Sequence, residues 1–100
     1  MLDNLLPSDG LRLVELIKRK MMKGGRLFLK LNDYKNRQEM LDDGALEIMS
    51  NVYKESQGLY LWNLDNDSVL SLFQPDFKTE TVKSIELMGT VNRTFHLMKQ

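Results

Sequence analysis

The amino-acid sequence predicts an α+β domain in which two helices pack on a mainly antiparallel sheet of about five strands. Amphipathic helical patterns cover residues 9–23 and 33–55, and four short segments with strand character follow residue 58. A further strand separates the two helices, so the predicted order is α-β-α-β-β-β-β. With 100 residues, the chain is expected to form one domain over residues 1–100, with residues 1–8 as a loose N-terminal lead-in.

The first helix is predicted from its end signals and from its periodicity. Residues 7–9 (Pro-Ser-Asp) supply capping residues, residues 11–22 contain no helix breaker, and Gly24-Gly25 provides a stop. Placing the side chains at 100° steps separates an apolar stripe from a charged one. The stripe expected to face the core comprises Leu13, Val14, Ile17 and Met21, and the opposite stripe comprises Arg12, Glu15, Arg19 and Lys23.

The first strand and the second helix follow. In residues 26–31 the side chains of Leu27, Leu29 and Leu31 alternate with those of Arg26, Phe28 and Lys30, which is the period of a strand. The apolar positions between Tyr34 and Tyr53 keep one helical phase through Gly44. Because a glycine inside a helix costs only ~1 kcal/mol relative to alanine, we favour one helix over residues 33–55 with a kink at Gly44 over two helices meeting there.

The C-terminal half is predicted to be a meander of strands. Residues 59–64 and 68–73 form a hairpin around a turn at residues 65–67, and residues 74–76 make the next turn. Residues 81–88 form a third strand, in which the odd spacing of Val82 and Ile85 indicates a bulge or a shorter strand. The last strand begins at Val91 after a turn at Gly89-Thr90, with Val91, Phe95 and Leu97 on one face and Asn92, Thr94 and His96 on the other.

Composition excludes several functional classes. The chain has no cysteine, which removes disulfides, thiolate nucleophiles and cysteine-based metal sites. Its 14 basic and 14 acidic residues give no net charge, so any electrostatic attraction must be local. No apolar run approaches the roughly 20 residues that span a bilayer, and the first ten residues do not resemble a signal peptide. We therefore expect a cytoplasmic protein without membrane contact.

Catalytic and cofactor motifs are lacking, so the sequence predicts a non-enzymatic protein without a cofactor or metal. His96 is the only histidine, and no Gly-x-Ser-x-Gly motif accompanies it. Residues 65–76 begin like a calcium loop but carry Val69 and Leu70 where such a loop needs a polar ligand and a glycine. Residues 23–26 (Lys-Gly-Gly-Arg) follow a helix and precede a strand, the reverse of a phosphate-binding loop.

An apolar strand supports the leading hypothesis, a small regulatory or adaptor protein that acts by protein–protein binding. In residues 59–64, Leu59 and Leu61 share one face, and the candidate protein-binding residues Tyr60, Trp62 and Leu64 share the other. Both faces of this strand carry apolar side chains, so the second face either is buried within the monomer or contacts a partner. A homodimer is the simplest partner, because one surface can be self-complementary.

A basic segment supports the alternative, a nucleic-acid-binding regulatory module. Residues 18–30 contain six cations and no acid, and the candidate nucleic-acid or anion-binding residues are Lys18, Arg19, Lys20, Lys23, Arg26 and Lys30. Arg93 and Lys99 would add contacts if the last strand lay nearby. The same cations also suit the C-terminal end of the first helix, where they interact favourably with the helix dipole.

Overall fold

The structure is a computed structural model that describes residues 2–100, and it confirms the α+β class. After a 3-10 turn at Leu2–Asn4, the elements are α1 (Pro7–Lys20), β1 (Arg26–Asn32), α2 (Arg37–Asp42), β2 (Leu46–Met49), β3 (Val52–Lys54), β4 (Tyr60–Trp62), α3 (Asn66–Phe73), β5 (Phe77–Leu87) and β6 (Thr90–Lys99). No helix in residues 2–100 is long and apolar enough to cross a membrane.

The strands form two antiparallel three-stranded sheets. Sheet I has the order β1-β6-β5, with β6 in the centre, and sheet II has the order β2-β3-β4. Helices α1 and α3 pack on one face of sheet I, here called its inner face. The main core between them contains Leu2, Val14, Leu31, Leu64, Val69, Phe73, Phe77, Phe95 and Leu97.

Helix α1 confirms the amphipathic prediction. Val14 is buried, Leu13, Ile17 and Met21 pack against the main core, and Arg12, Glu15, Arg19 and Lys23 are exposed. The helix begins at Pro7, whose fixed φ suits the first helical position, and ends at Lys20, three residues before the predicted end. Three cations in its last turn complement the negative end of the helix dipole.

The predicted helix over residues 33–55 divides into α2 and a β-hairpin. The side chain of Asn36 accepts a hydrogen bond from the backbone of Glu39 at 2.9 Å, and Glu39 accepts one from the backbone of Asn36. At the other end Gly44 adopts a left-handed conformation with φ 88°, and the Ala45 amide donates to the carbonyl of Met40 at 3.1 Å. This arrangement is a Schellman motif, so Gly44 terminates the helix instead of kinking it.

Strands β2 and β3 replace the second half of that predicted helix. Asn51, with φ 61°, turns the chain between them, and asparagine tolerates this conformation better than most residues. Tyr53 pairs with Leu61, and both side chains pack on Met40 and Ala45. Apolar residues whose spacing indicated a helix are therefore buried by strands. This second, smaller core joins α2 to sheet II.

The segment predicted as a strand over residues 68–73 is helix α3. The Asp65 carboxylate accepts a hydrogen bond from the Ser68 amide at 2.8 Å, so Asp65 caps a helix where a hairpin turn was predicted. Val69 and Phe73, four residues apart, are both buried in the main core. The observed order is therefore α-β-α-β-β-β-α-β-β, with six strands.

The N-terminal segment packs against the domain, although residues 1–8 were predicted to be loose. Leu2 and Asp3 are buried. One carboxylate oxygen of Asp3 accepts hydrogen bonds from the backbone amide and the side-chain amide of Asn32, at 2.8 and 3.0 Å. Met1 lies outside the described residues.

Candidate functional site

Sheet I presents one face that none of the helices within residues 2–100 covers. Because α1 and α3 both lie on the inner face, the side chains that point the other way form an outer face open to solvent. The strand register places nine of them in three rows across the sheet, and we call these nine the platform. The rows are Arg26–Met98–Lys78, Phe28–His96–Thr81 and Lys30–Thr94–Lys83.

The corners of the platform are all cationic. Arg26 and Lys30 occupy the two corners on β1, and Lys78 and Lys83 occupy the two on β5. All four are exposed, and none takes part in an ion pair among residues 2–100. None of the nine platform residues is acidic, and the nearest acid in sequence, Glu80, lies in the bulge between Thr79 and Thr81.

An aromatic pair lies in the middle row of the platform. The ring of Phe28 stacks on that of His96 with a centroid distance of 4.3 Å and an interplanar angle of 15°. Nη1 of Arg26 lies 3.0 Å from Nε2 of His96. Because a guanidinium can only donate, Nε2 of His96 is the acceptor of this hydrogen bond. Phe28 is 72% exposed, so the ring face that points away from His96 is free.

Only part of the predicted basic segment reaches this surface. Arg26 and Lys30 belong to the platform, whereas Lys18, Arg19 and Lys20 lie on α1, which covers the opposite face of sheet I. Lys18 also lies 3.7 Å from the Glu15 carboxylate. Lys23 is exposed in the turn between α1 and β1. The sheet therefore separates the three cations of α1 from Arg26 and Lys30 on the outer face.

Two platform cations were missed from the sequence. Lys78 and Lys83 are five residues apart, an odd spacing that places side chains on opposite faces of a regular strand. The bulge at Glu80 adds one residue and returns both lysines to the same face. The odd spacing of Val82 and Ile85 predicted a bulge or a shorter strand, but the pairing of residues 81–87 is regular and Ile85 is exposed. The bulge lies before Val82, at Glu80.

Arg93 and Lys99 do not extend the basic surface. Arg93 is buried on the inner face, where its Nε donates to the Asn32 carbonyl at 2.8 Å and Nη1 donates to Oδ1 of Asn66 at 3.0 Å. Burial lowers its pKa, and the nearby carboxylate of Asp3 opposes that shift. Arg93 thus joins β1 to the start of α3. Lys99 lies 3.7 Å from Asp76.

The three residues of the predicted apolar surface do not share one environment, because one is exposed to solvent and two pack in or against the main core. Tyr60 is 37% exposed and lies below the ammonium group of Lys54, 6.0 Å from the ring centroid. Trp62 is half-buried and packs on the main core, and Leu64 is a buried member of that core. Tyr60 alone remains accessible for a partner, because Trp62 and Leu64 connect sheet II to the helical layer.

The exposed apolar side chains of sheet II lie elsewhere than predicted. All four residues of the edge strand β2 are exposed, including Leu46, Ile48 and Met49. Leu46 shares a face with Tyr60, because both lie in register with Lys54. This apolar edge is the second accessible surface of the protein.

A cleft of about 530 Å³ separates sheet II from the turn of the β5–β6 hairpin. Lys35 and Asp43 at its wall form an ion pair with an N–O distance of 2.7 Å, and this hydrogen bond raises the pKa of Lys35. No group of three or more His, Cys, Asp or Glu side chains in residues 2–100 is arranged to hold a metal ion. Lys35 and Asp43 neutralise each other, and Asp33 and Glu55 are the other charged residues that line the cleft.

Comparison with known proteins gave no matching family model and no significantly similar curated protein. The functional argument therefore rests on the geometry of the two surfaces.

Proposed function

We propose that this protein is a non-enzymatic binding protein that contacts nucleic acid through the platform. The observation that carries the proposal is the arrangement of four unpaired cations around an exposed aromatic ring. Nucleic acids combine a regular series of phosphates with flat bases, and proteins recognise them with cations and aromatic side chains. The platform offers both groups on one open sheet face.

The neutral total charge is compatible with this proposal. Strands in a sheet are about 4.8 Å apart and rise about 3.3 Å per residue, so the corner cations span about 10 by 13 Å. Charges further apart than about 8 Å are largely screened at physiological salt. A phosphate on the platform therefore interacts mainly with its cations, while the acids on other surfaces of the domain contribute little.

Charge also argues against a second copy of the chain as the partner on this face. A two-fold dimer through the platform would bring four cations of one protomer against the same four of the other, with no acid among the nine platform residues. Like charges in contact are destabilising, so the platform favours an anionic partner.

The test is the salt dependence of affinity for a mixed-sequence single-stranded oligonucleotide. Four phosphate contacts predict a slope of log affinity against log salt of about −2.8, from ~0.7 per contact on single strands. Replacing Lys30 and Lys83 by glutamine should reduce the slope to about −1.4. The matched control replaces Arg19 and Lys20, which are exposed on α1, on the opposite side of the sheet. Equal effects of the two double variants, or a slope that neither changes, would contradict the proposal.

A second candidate function is protein binding by a regulatory or adaptor protein, including a homodimer, through sheet II. The observation that favours it is the edge strand β2, which exposes Leu46 and Ile48 and has an unpaired backbone edge. Such edges recruit a strand from a partner. Stable interfaces bury about 1,600 Å² in total, so a partner strand on the four-residue β2 would need further contacts on the sheet face that Leu46 shares with Tyr60.

Molar mass in solution tests this second function. A homodimer through β2 should dissociate on dilution, and replacing Ile48 by lysine should shift it to monomer while Phe28→Ala leaves it unchanged. A monomer at millimolar concentration would rule out the homodimer. Association that Ile48→Lys leaves unchanged would place the interface elsewhere.

A further inference from the structure

We propose that the platform selects single strands by stacking an unpaired base on the free face of Phe28, with His96 and Arg26 as positioning residues. This inference rests on nucleic-acid binding at the platform and specifies the substrate class. The phenyl ring of Phe28 is unusually exposed, at 72%, and lies among cations on an open sheet face.

The ring is already fixed in an orientation suited to stacking. One face of Phe28 is covered by His96 at 4.3 Å and nearly parallel, and the other face is open. A base on the open face would extend a column in which base, phenyl and imidazole lie one above another. The hydrogen bond from Arg26 to His96 orients the imidazole, which is the ring of this column farthest from the base. Less side-chain freedom is therefore lost when a base binds.

The cations lie where phosphates on either side of a stacked base would be. Arg26 and Lys30 are each two residues from Phe28 on β1, about 6.6 Å along the strand. One phosphate precedes and one follows each nucleoside, so both cations can be used by one bound nucleotide. Arg26 uses Nη1 for His96 and keeps its other donors for phosphate.

A duplex cannot use this column. In double-stranded nucleic acid the faces of the bases are covered by their neighbours, and only the base edges are accessible in the grooves. Stacking on a protein aromatic therefore needs an unpaired base, as in single strands, loops and bulges. The platform can contact duplex phosphates, but Phe28 adds affinity only for a single strand.

The experiment compares a 12-nucleotide single strand that contains 2-aminopurine with the same strand annealed to its complement, in DNA and RNA forms. The wild-type protein is expected to bind the single strand more tightly and to quench 2-aminopurine fluorescence. Stacking needs no 2′-hydroxyl group, so the two forms should compete within about tenfold. Equal or tighter binding of the duplex would overturn the proposal.

The variants separate stacking from charge. Phe28→Ala should weaken single-strand binding by about 5- to 150-fold, since a stacked base contributes ~1–3 kcal/mol, and should leave duplex binding and the salt slope unchanged. Phe28→Tyr should retain affinity and quenching. Tyr60→Ala, which removes an exposed aromatic from sheet II, is the control and should have no effect.

The positioning role of His96 has its own readout. His96→Ala should reduce the quenching of 2-aminopurine as well as affinity, whereas His96→Phe, which keeps a flat ring beneath Phe28, should restore both. Equal loss with His96→Ala and His96→Phe would overturn that role. If Phe28→Ala weakens single-strand and duplex binding equally, stacking is overturned while nucleic-acid binding at the platform stands. If the wild-type protein binds neither strand, or binds polyglutamate as tightly, both proposals fail.

Discussion

A Cβ atom on Gly10 would lie 2.8 Å from Cζ3 of Trp62, so the indole ring packs directly on the backbone of α1 at a position without a side chain. This contact connects sheet II, through β4, to the helical layer of sheet I. It also explains why Trp62 is not available as an interface anchor. The contact between Trp62 and Gly10 is therefore one of the contacts that hold the two sheets together.

Gly10→Ala should therefore destabilise the protein although alanine is the better helix former. The gain in helix propensity is about 1 kcal/mol, and overpacking against a ring at 2.8 Å costs typically about 1–3 kcal/mol. We expect a net loss of about 1 kcal/mol in urea unfolding. Trp62 is the only tryptophan, so its fluorescence should shift to the red in the folded variant. Arg12→Ala, an exposed change in the same helix, is the control, and a stabilised Gly10→Ala would contradict this packing.

Gly44→Ala should lower the free energy of unfolding by about 1 kcal/mol. The cost is conformational, because Gly44 has a φ of 88° and a Cβ atom there would meet nothing within 4 Å. Asparagine tolerates the left-handed conformation better, so Gly44→Asn should recover part of the loss. Thermal unfolding of both variants checks this. If Gly44→Ala left the free energy of unfolding unchanged, the assignment of a Schellman motif at the end of α2 would be wrong.

Asp65 should contribute to stability in a pH-dependent way. The hydrogen bond from the Ser68 amide lowers the pKa of Asp65 below 3.8. A carboxylate whose pKa is lower in the folded state stabilises the fold above its unfolded pKa, and this contribution is lost as the pH falls through the lowered value. Asp65→Ala should cost about 1 kcal/mol at pH 7, the usual value for a lost helix cap.

Asp65→Asn provides the matched comparison for that prediction. It retains an oxygen that can accept from Ser68 but no longer titrates, so its stability at pH 7 should be close to that of the wild type. Below pH ~4 the wild type should become less stable than Asp65→Asn, because Asp65 becomes protonated and the asparagine does not titrate. Urea unfolding over this range measures the effect, and parallel pH profiles for wild type and Asp65→Asn would contradict the assigned cap.

Glu80 should weaken nucleic-acid binding, because it is the acid that the bulge places next to the platform. At about 7 Å in water a unit charge repels a phosphate by ~0.6 kcal/mol, so Glu80→Gln should raise affinity about threefold at low salt. The gain should disappear at 1 M salt, where screening is nearly complete. Asp67→Asn in α3 is the matched control. A gain independent of salt would show that Glu80 acts through structure and not through charge.

The sequence by itself determined the elements whose local signals agree. In α1 the 3.6-residue apolar period and the bounding Pro7 and Gly24-Gly25 all indicate a helix, and in β1 and β6 the two-residue alternation is nearly unbroken. These patterns depend only on which side chains must avoid water. The same alternation placed Arg26, Phe28 and Lys30 on one strand face, which is one edge of the platform.

Tertiary structure decided the segments whose local signals conflict. Residues 45–53 keep a helical apolar period, but the left-handed Gly44 ends α2, and pairing with β4 satisfies the backbone of the following residues as strands. Residues 68–73 were predicted to be the second strand of a hairpin that turns at residues 65–67. The Asp65 cap and burial of Val69 and Phe73 beneath sheet I make them a helix.

The platform itself is a product of tertiary structure. Phe28 and His96 are 68 residues apart in the chain and come together only because β6 lies between β1 and β5. Lys78 and Lys83 share that face only because the pairing of β5 with β6 leaves Glu80 in a bulge. Strand order and bulge position depend on which distant residues are paired and buried together, and no local period in the sequence carries that information.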